Sequence, residues 1–297
     1  MKLKNEKYCG LSFSCNIFAI VILFKSLKIL FDMKFWYKFL FLPILIFALV
    51  GCSDDEESVS LSQYKAEDGK VTQLQKHTIG NGVPIIIMGD SFSNSDIVYG
   101  KYREATTWAL EELFSVHPMK SLRDYFDVYE VTTVSYANES HSTAFSSHFD
   151  GRFLTGDNGK AMDYAIKVIG DEKRMDDVTI IILNNEEKYG GTCFMHIIPS
   201  SVPGIPKGDA VAFVSLVGNS KKYILLHEAI GHGFAKLADE YEDVGYEPIS
   251  EADKEMLMGD HDNGYWRNIS MDSDVTKTPW ADFAADSRYD FEKLGCY

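Results

Sequence analysis

Short apolar runs and amphipathic stretches alternate along this chain from about residue 83 onward. Val83 to Met88 is an unbroken apolar run of strand length, as a strand covered on both faces requires. Asp96 to Val116 repeats with a helical period, with Tyr102, Ala105, Ala109 and Leu113 on one face and Pro118 beyond its end. Val128 to Val134 alternates as a strand, and Ala137 to Gly156, rich in Ser, His and Phe, reads as a loop. Lys160 to Ile169 reads as a helix closed by Gly170. Val178 to Leu183 is a strongly β-branched strand. Phe194 to Ile198 and Val211 to Val217 are two more strands, and a helix starts near Tyr223. Such alternation predicts an α/β fold, a central, mainly parallel sheet flanked by helices. No internal repeat is visible.

The N-terminus departs from this pattern. Lys34-Phe35-Trp36-Tyr37-Lys38 is followed by an apolar run, Phe39 to Ala48, and then by Leu49-Val50-Gly51-Cys52. A charged start, an apolar centre and a lipobox make an export signal, with Cys52 the lipidated first residue of a lipoprotein. The alternative is a membrane-spanning helix, for which the apolar stretch is short. A second apolar run, Ile17 to Phe24, precedes Met33. Two export segments in tandem make little sense, so translation is expected to start at Met33. The division is therefore 1–52 leader, 53–78 acidic flexible tether, and 79–297 one folded domain.

Charge narrows the partners. Removing the 7 basic and 2 acidic residues of 1–51 from the chain's 29 and 44 leaves a net charge of −20. Phosphate backbones are repelled by such a surface, so no nucleic-acid partner is expected. Ser53-Asp54-Asp55-Glu56-Glu57 fits either a surface-export signal of Gram-negative lipoproteins or an ordinary solvated tether. The expected location is the cell envelope, at the outer membrane, with membrane attachment through the lipid. Of five cysteines only Cys193 and Cys296 fall in the folded part; a disulfide and two free thiols are both compatible with the sequence.

The richest chemistry lies in His227-Glu228-Ala229-Ile230-Gly231-His232. Two imidazoles and a carboxylate can hold a metal ion, and a second carboxylate can move a proton. On a regular helix residues i and i+4 share a face, whereas i and i+5 lie about 140° apart. His227 and His232 therefore meet at one ion only if a residue is looped out, as in a π-bulge. Gly231 and Gly233 ease that distortion. The plainer reading is a regular buried helix in which Glu228 pairs with His232.

With its continuation Gly233-Phe234-Ala235-Lys236-Leu237-Ala238-Asp239-Glu240-Tyr241, this stretch resembles the signature of the IgA-peptidase family of zinc metallopeptidases. Members carry H-E-x-x-H or a form one residue longer, a spacing that dipeptidyl peptidase III enzymes also use. Ile87 to Phe92, Lys101 to Glu104, Tyr189 to Cys193 and Pro279 to Phe283 look like further family blocks. The resemblance implies a zincin-like catalytic domain and a Zn2+ cofactor. It also implies a polypeptide or glycoprotein substrate, immunoglobulin A being the family's named one. Glu228 becomes the catalytic base and His227, His232 and Asp239 the metal ligands. A helix continued straight would carry Asp239 about 10.5 Å up its axis, so the chain must turn back between about Ala235 and Ala238. Glu240 would then support a ligand imidazole, and Tyr241 would bond an oxyanion or simply pack. Relatives continue beyond a point equivalent to Tyr297 with a methionine-bearing turn beneath the metal, which Met256, Met258 and Met271 do not resemble, so the chain is expected to be shorter than a complete enzyme.

Two other readings stand beside this one. Gly89-Asp90-Ser91 after a strand resembles the nucleophile block of a G-D-S-L esterase, but none of the eight histidines has the Asp three residues earlier that such an enzyme uses. A catalytically weak surface lipoprotein that captures peptides or glycoproteins is the alternative from another class. His141, His148 and His196 are lone candidates for the cleft.

Overall fold

In the computed structural model, Ile85 and Ile87 of one strand face one side of a sheet and Ile86 and Met88 face the other, and all four are fully buried. The structure describes residues 65–136, 143–151, 153–186, 190–239, 250–272, 274–278 and 280–288. The leader, Met33, Cys52, His141, Glu240, Tyr241 and Cys296 lie outside them. Strands are β1 Val71–Gln75, β2 Val83–Asp90, β3 Phe126–Val131, β4 His148–Asp150, β5 Phe153–Thr155, β6 Thr179–Asn184, β7 Gly191–Met195 and β8 Ala210–Ser215. The main helices are α1 Asn94–Val98, α2 Lys101–Leu113, α3 Met119–Leu122, α4 Asn158–Ile169, α5 Glu172–Met175, α6 Lys221–Leu225, a π-helix Leu226–Phe234, α7 Glu251–Asp262 and α8 Ala281–Ala284.

Six strands form one sheet in the order β1-β3-β2-β6-β8-β7. The four central strands are parallel, and β1 and β7 run antiparallel at the edges. Ile85 aligns with Thr179 and Ile87 with Ile181, so the apolar residues of β2 and β6 stack in rows on both faces. One face receives Ala109, Leu110 and Leu113 of α2, Leu225 of α6 and Ala229 of the π-helix. The other receives Ala161 and Ala165 of α4 and Leu154 of β5. Helices on both faces of a mixed, centrally parallel sheet match the α/β class read from the sequence.

Several boundaries differ. Residues 71–75, expected in the tether, pair with β3 as an edge strand; their polar alternation, only partly buried, hides them in an acidic stretch. The helix expected over 96–116 is two, α1 and α2, because Gly100 adopts φ +91° between them. The loop expected over 137–156 contains the β4–β5 hairpin, whose strands of three residues are too short for a periodic signal. β7 begins at Gly191 rather than Phe194. Helix α7 buries only His261, so it carries almost no apolar period; Ser250 caps it by accepting from the Asp253 amide at 3.1 Å. Among the described residues no helix is long and apolar enough to cross a membrane.

Candidate metal centre

The segment that carries the two histidines is a π-helix. The Ala235 amide donates to the Ile230 carbonyl, five residues back, at 2.8 Å. With that hydrogen-bond period, residues five apart stand over one another, as i and i+4 do on an α-helix. His227 and His232 accordingly meet, with ring centroids 4.5 Å apart and Nε2 atoms 3.1 Å apart. Glu228 does not pair with His232, so the regular-helix arrangement is not the one adopted. Gly233 lets the helix lie on the sheet: a Cβ there would come 3.1 Å from Thr179 Cγ2 and 3.2 Å from the Glu228 carbonyl.

The chain leaves the helix at Ala235 and reverses at Lys236, which has φ +56°. This left-handed residue is held on both sides. Its amide donates to the His232 carbonyl at 3.1 Å and its carbonyl accepts from the Trp266 amide at 2.9 Å. Its buried ammonium donates to the Gly233 carbonyl at 2.6 Å, satisfying one of the helix's terminal acceptors. Asn268 then grips the outgoing chain at two points. Its Oδ1 accepts from the Ala238 amide at 2.9 Å and its Nδ2 donates to the Ala238 carbonyl at 2.8 Å. The reversal delivers Asp239 to the histidines, with Oδ1 3.0 Å from His227 Nε2 and 3.2 Å from His232 Nε2.

These three side chains form a group whose ligand atoms all lie within 4.8 Å of one another. Four ligands held about 2.0–2.1 Å from a tetrahedral ion are about 3.3–3.4 Å apart, close to the 3.0–3.2 Å separations seen here. The protonation pattern also suits a cation. His232 Nδ1 donates to the Leu237 carbonyl at 2.6 Å, which leaves the Nε2 lone pair pointing at the cluster. Burial, followed by His232, holds the His227 pKa below its ordinary value against the pull of Asp239, favouring the neutral, ligating form. Two imidazole nitrogens and a carboxylate are a donor set for zinc and similar transition metals.

Glu228 is buried beside the cluster. Burial, followed by the Asp239 charge, pushes its pKa up to about 7. Room for its carboxylate comes from β7. A Cβ on Gly191 would lie 2.9 Å from Glu228 Cγ and Oε1 and 2.5 Å from Ile224 Cγ2. Gly191→Ala is therefore expected to displace Glu228 and lower kcat at least tenfold, with metal affinity kept. Kinetics beside metal titration check this, and equal loss of metal would refute it. The visible signal for this role was the Gly190-Gly191 pair. Asn268 and Trp266 gave no sequence signal, because their parts are played through backbone contacts with a distant segment. Lys236 fell within the signature stretch and the expected turn, but its positive φ and its ammonium contact were not foreseen.

The other candidates stand elsewhere. His148 Nδ1 meets the Ser146 carbonyl and Nε2 meets Thr155 Oγ1, within the hairpin. His196, just beyond β7, is an exposed partner of Asp209 and does not itself line the cleft. Cys193 is a free thiol lining the cleft, its pKa pushed up to about 12 by burial and then by Glu228. The Ser91 hydroxyl donates to Glu186 Oε1 at 3.1 Å rather than to an imidazole. The chain matches a family model described as IgA Peptidase M64 over residues 73–290. No curated protein matches it.

Proposed function

The chain belongs to the IgA peptidase M64 family, and from that premise we propose that it is a zinc endopeptidase, with His227, His232 and Asp239 as ligands and Glu228 as base. Family membership makes it a peptidase of a metal-dependent kind. The convergence of three ligand atoms beside a buried carboxyl is the observation that carries the residue assignment. A bound zinc ion supplies Lewis acidity toward the scissile carbonyl and toward water. Glu228 takes the proton of the attacking water and passes it to the leaving nitrogen, a task suited to a carboxyl whose pKa lies near neutrality. The Leu237 carbonyl fixes the His232 tautomer, and Asn268 holds the backbone ahead of Asp239. The zincin-like description of the domain belongs to this reading as well.

A polypeptide substrate fits the surroundings. β7 is an edge strand, paired among the described residues only with β8, and Gly191, Thr192, Cys193 and Met195 line the cleft. An extended chain can add to such an edge through main-chain hydrogen bonds. Protein or glycoprotein substrates, immunoglobulin A among them, follow from this proposal. The test is hydrolysis of a denatured protein by the purified chain, lost on chelation and restored by stoichiometric zinc. Metal binding without turnover would instead favour the peptide-capturing lipoprotein.

The cellular setting is part of the proposal and rests on Leu49-Val50-Gly51-Cys52. The protein is lipidated at Cys52 and faces the envelope. Cys52→Ser should move it from the membrane to the soluble fraction. Radiolabelled palmitate should label the wild type and not the variant; an unlabelled wild type would refute the anchor.

A further inference from the structure

The metal cluster and Glu228 supply only part of the lining of their cleft, a space of about 330 Å3. Four apolar side chains line the same space. Phe153 reaches it from β5, Met195 from β7, Leu257 from α7, and Trp266 from the turn that follows α7. Four elements separated in sequence thus place apolar side chains around one space. None of the four is fully buried, so core packing alone does not account for their position.

Trp266 is the most telling of them. It has φ +54°, a left-handed conformation that bulky residues adopt only under constraint. The constraint is visible on three sides. The amide donates to the Lys236 carbonyl at 2.9 Å, and the carbonyl accepts from His261 Nε2 at 2.7 Å. The indole Nε1 donates to Asp260 Oδ2 at 3.3 Å. Strain that is held by several interactions marks sites where a side chain must be presented in one place. Here the presented group is a large aromatic ring that lines the same cleft as Glu228.

We infer that this apolar lining is a specificity subsite, which takes a large apolar side chain from a residue flanking the scissile bond of the substrate polypeptide. The inference rests on the peptidase reading above and deepens it. An acidic side chain would give up its hydration against these four apolar groups. A small side chain leaves them wet. Pockets of this kind discriminate by about tenfold or more for each missing apolar group.

The test reads binding rather than turnover. Metal-loaded Glu228→Gln protein is titrated with a peptide series in which either central residue is Ala, Leu, Phe, Lys or Asp. Leu or Phe at one of the two positions should bind about tenfold or more tighter than Ala, with Asp weakest. Leu257→Glu should abolish the advantage of Leu over Ala and favour Lys. Phe153→Glu, at a residue already exposed, should shift the series the same way if Leu257→Glu does not fold. Equal affinities across the series, or a preference that both variants leave intact, would overturn the subsite. Wild-type hydrolysis of a denatured protein is measured separately. If it is absent with metal bound, the peptidase reading fails while the binding series still decides the subsite.

Discussion

Replacing Glu228 with glutamine is expected to lower kcat by about 10²- to 10⁴-fold, the range that one general acid–base group supplies. The metal content should stay unchanged. Glutamine keeps the size of the side chain in the space that Gly191 leaves for it, and it removes only the proton-accepting charge. His232→Ala should behave differently, since it deletes one of the three converging ligand atoms and its hydrogen bond to Leu237. That variant should lose metal and activity together. Metal analysis and single-turnover kinetics on both variants separate the roles. Loss of metal in Glu228→Gln with retention in His232→Ala would overturn the assignment.

The same substitution has a pH signature in the metal-free protein. The Glu228 pKa is raised in the fold from 4.5 to about 7. Between those values the folded state holds a proton that the unfolded chain has lost, so stability falls as pH rises through this window. Above pH 7 the whole penalty is present. Metal-free Glu228→Gln should therefore melt higher than metal-free wild type above pH 7 and show little difference near pH 4. A difference that did not grow with pH would contradict this account.

The histidine spacing was the most legible part of the site. A five-residue gap demanded a local departure from the α-helix, and Leu226–Phe234 makes it along its whole length. The need for a chain reversal was also legible, because Asp239 lay too far along the axis. How the reversal is made was not. Lys236 at positive φ, the Trp266 amide that meets its carbonyl, and the Asn268 clamp are contacts across about thirty residues. No local propensity encodes them. The sheet shows the same division. β2 and β6 announce themselves because both faces are covered and the runs 85–88 and 180–183 are wholly apolar. β1 and the β4–β5 hairpin are short, polar and half exposed, so tertiary packing decides them. Leu154, fully buried in a three-residue strand, shows how little sequence such a decision needs.

Asp90→Ala is expected to unfold the domain or leave it barely folded. Asp90 is fully buried at the carboxyl end of β2, in the Gly89-Asp90-Ser91 stretch that suggested an esterase. Its carboxylate accepts from the Ser91, Phe145 and Ser147 amides at 2.9, 3.2 and 3.1 Å. It also accepts from the Thr143 and Ser135 hydroxyls at 2.7 and 3.2 Å. Alanine takes the acceptor of the buried Phe145 amide, leaves the Ser91 and Ser147 amides only the Ser135 and Thr143 hydroxyls, and strips those two hydroxyls of their carboxylate. An unpaired buried group costs about 1–3 kcal/mol. With the hydroxyls included, the loss is several kcal/mol against the roughly 5–15 kcal/mol that a domain has in total. These donors order residues 143–147, which lead into the β4–β5 hairpin and hence to Phe153 at the cleft, so activity should fall with stability. Urea unfolding of the variant measures the effect, and a change below 1 kcal/mol would refute it. Ser91→Ala supplies the contrast. Removing its hydroxyl ends one hydrogen bond to Glu186, so peptide hydrolysis should stay within about threefold of wild type if Glu228 is the base. Loss of hydrolysis in Ser91→Ala, with metal still bound and the fold intact, would move the chemistry from the metal cluster to the end of β2.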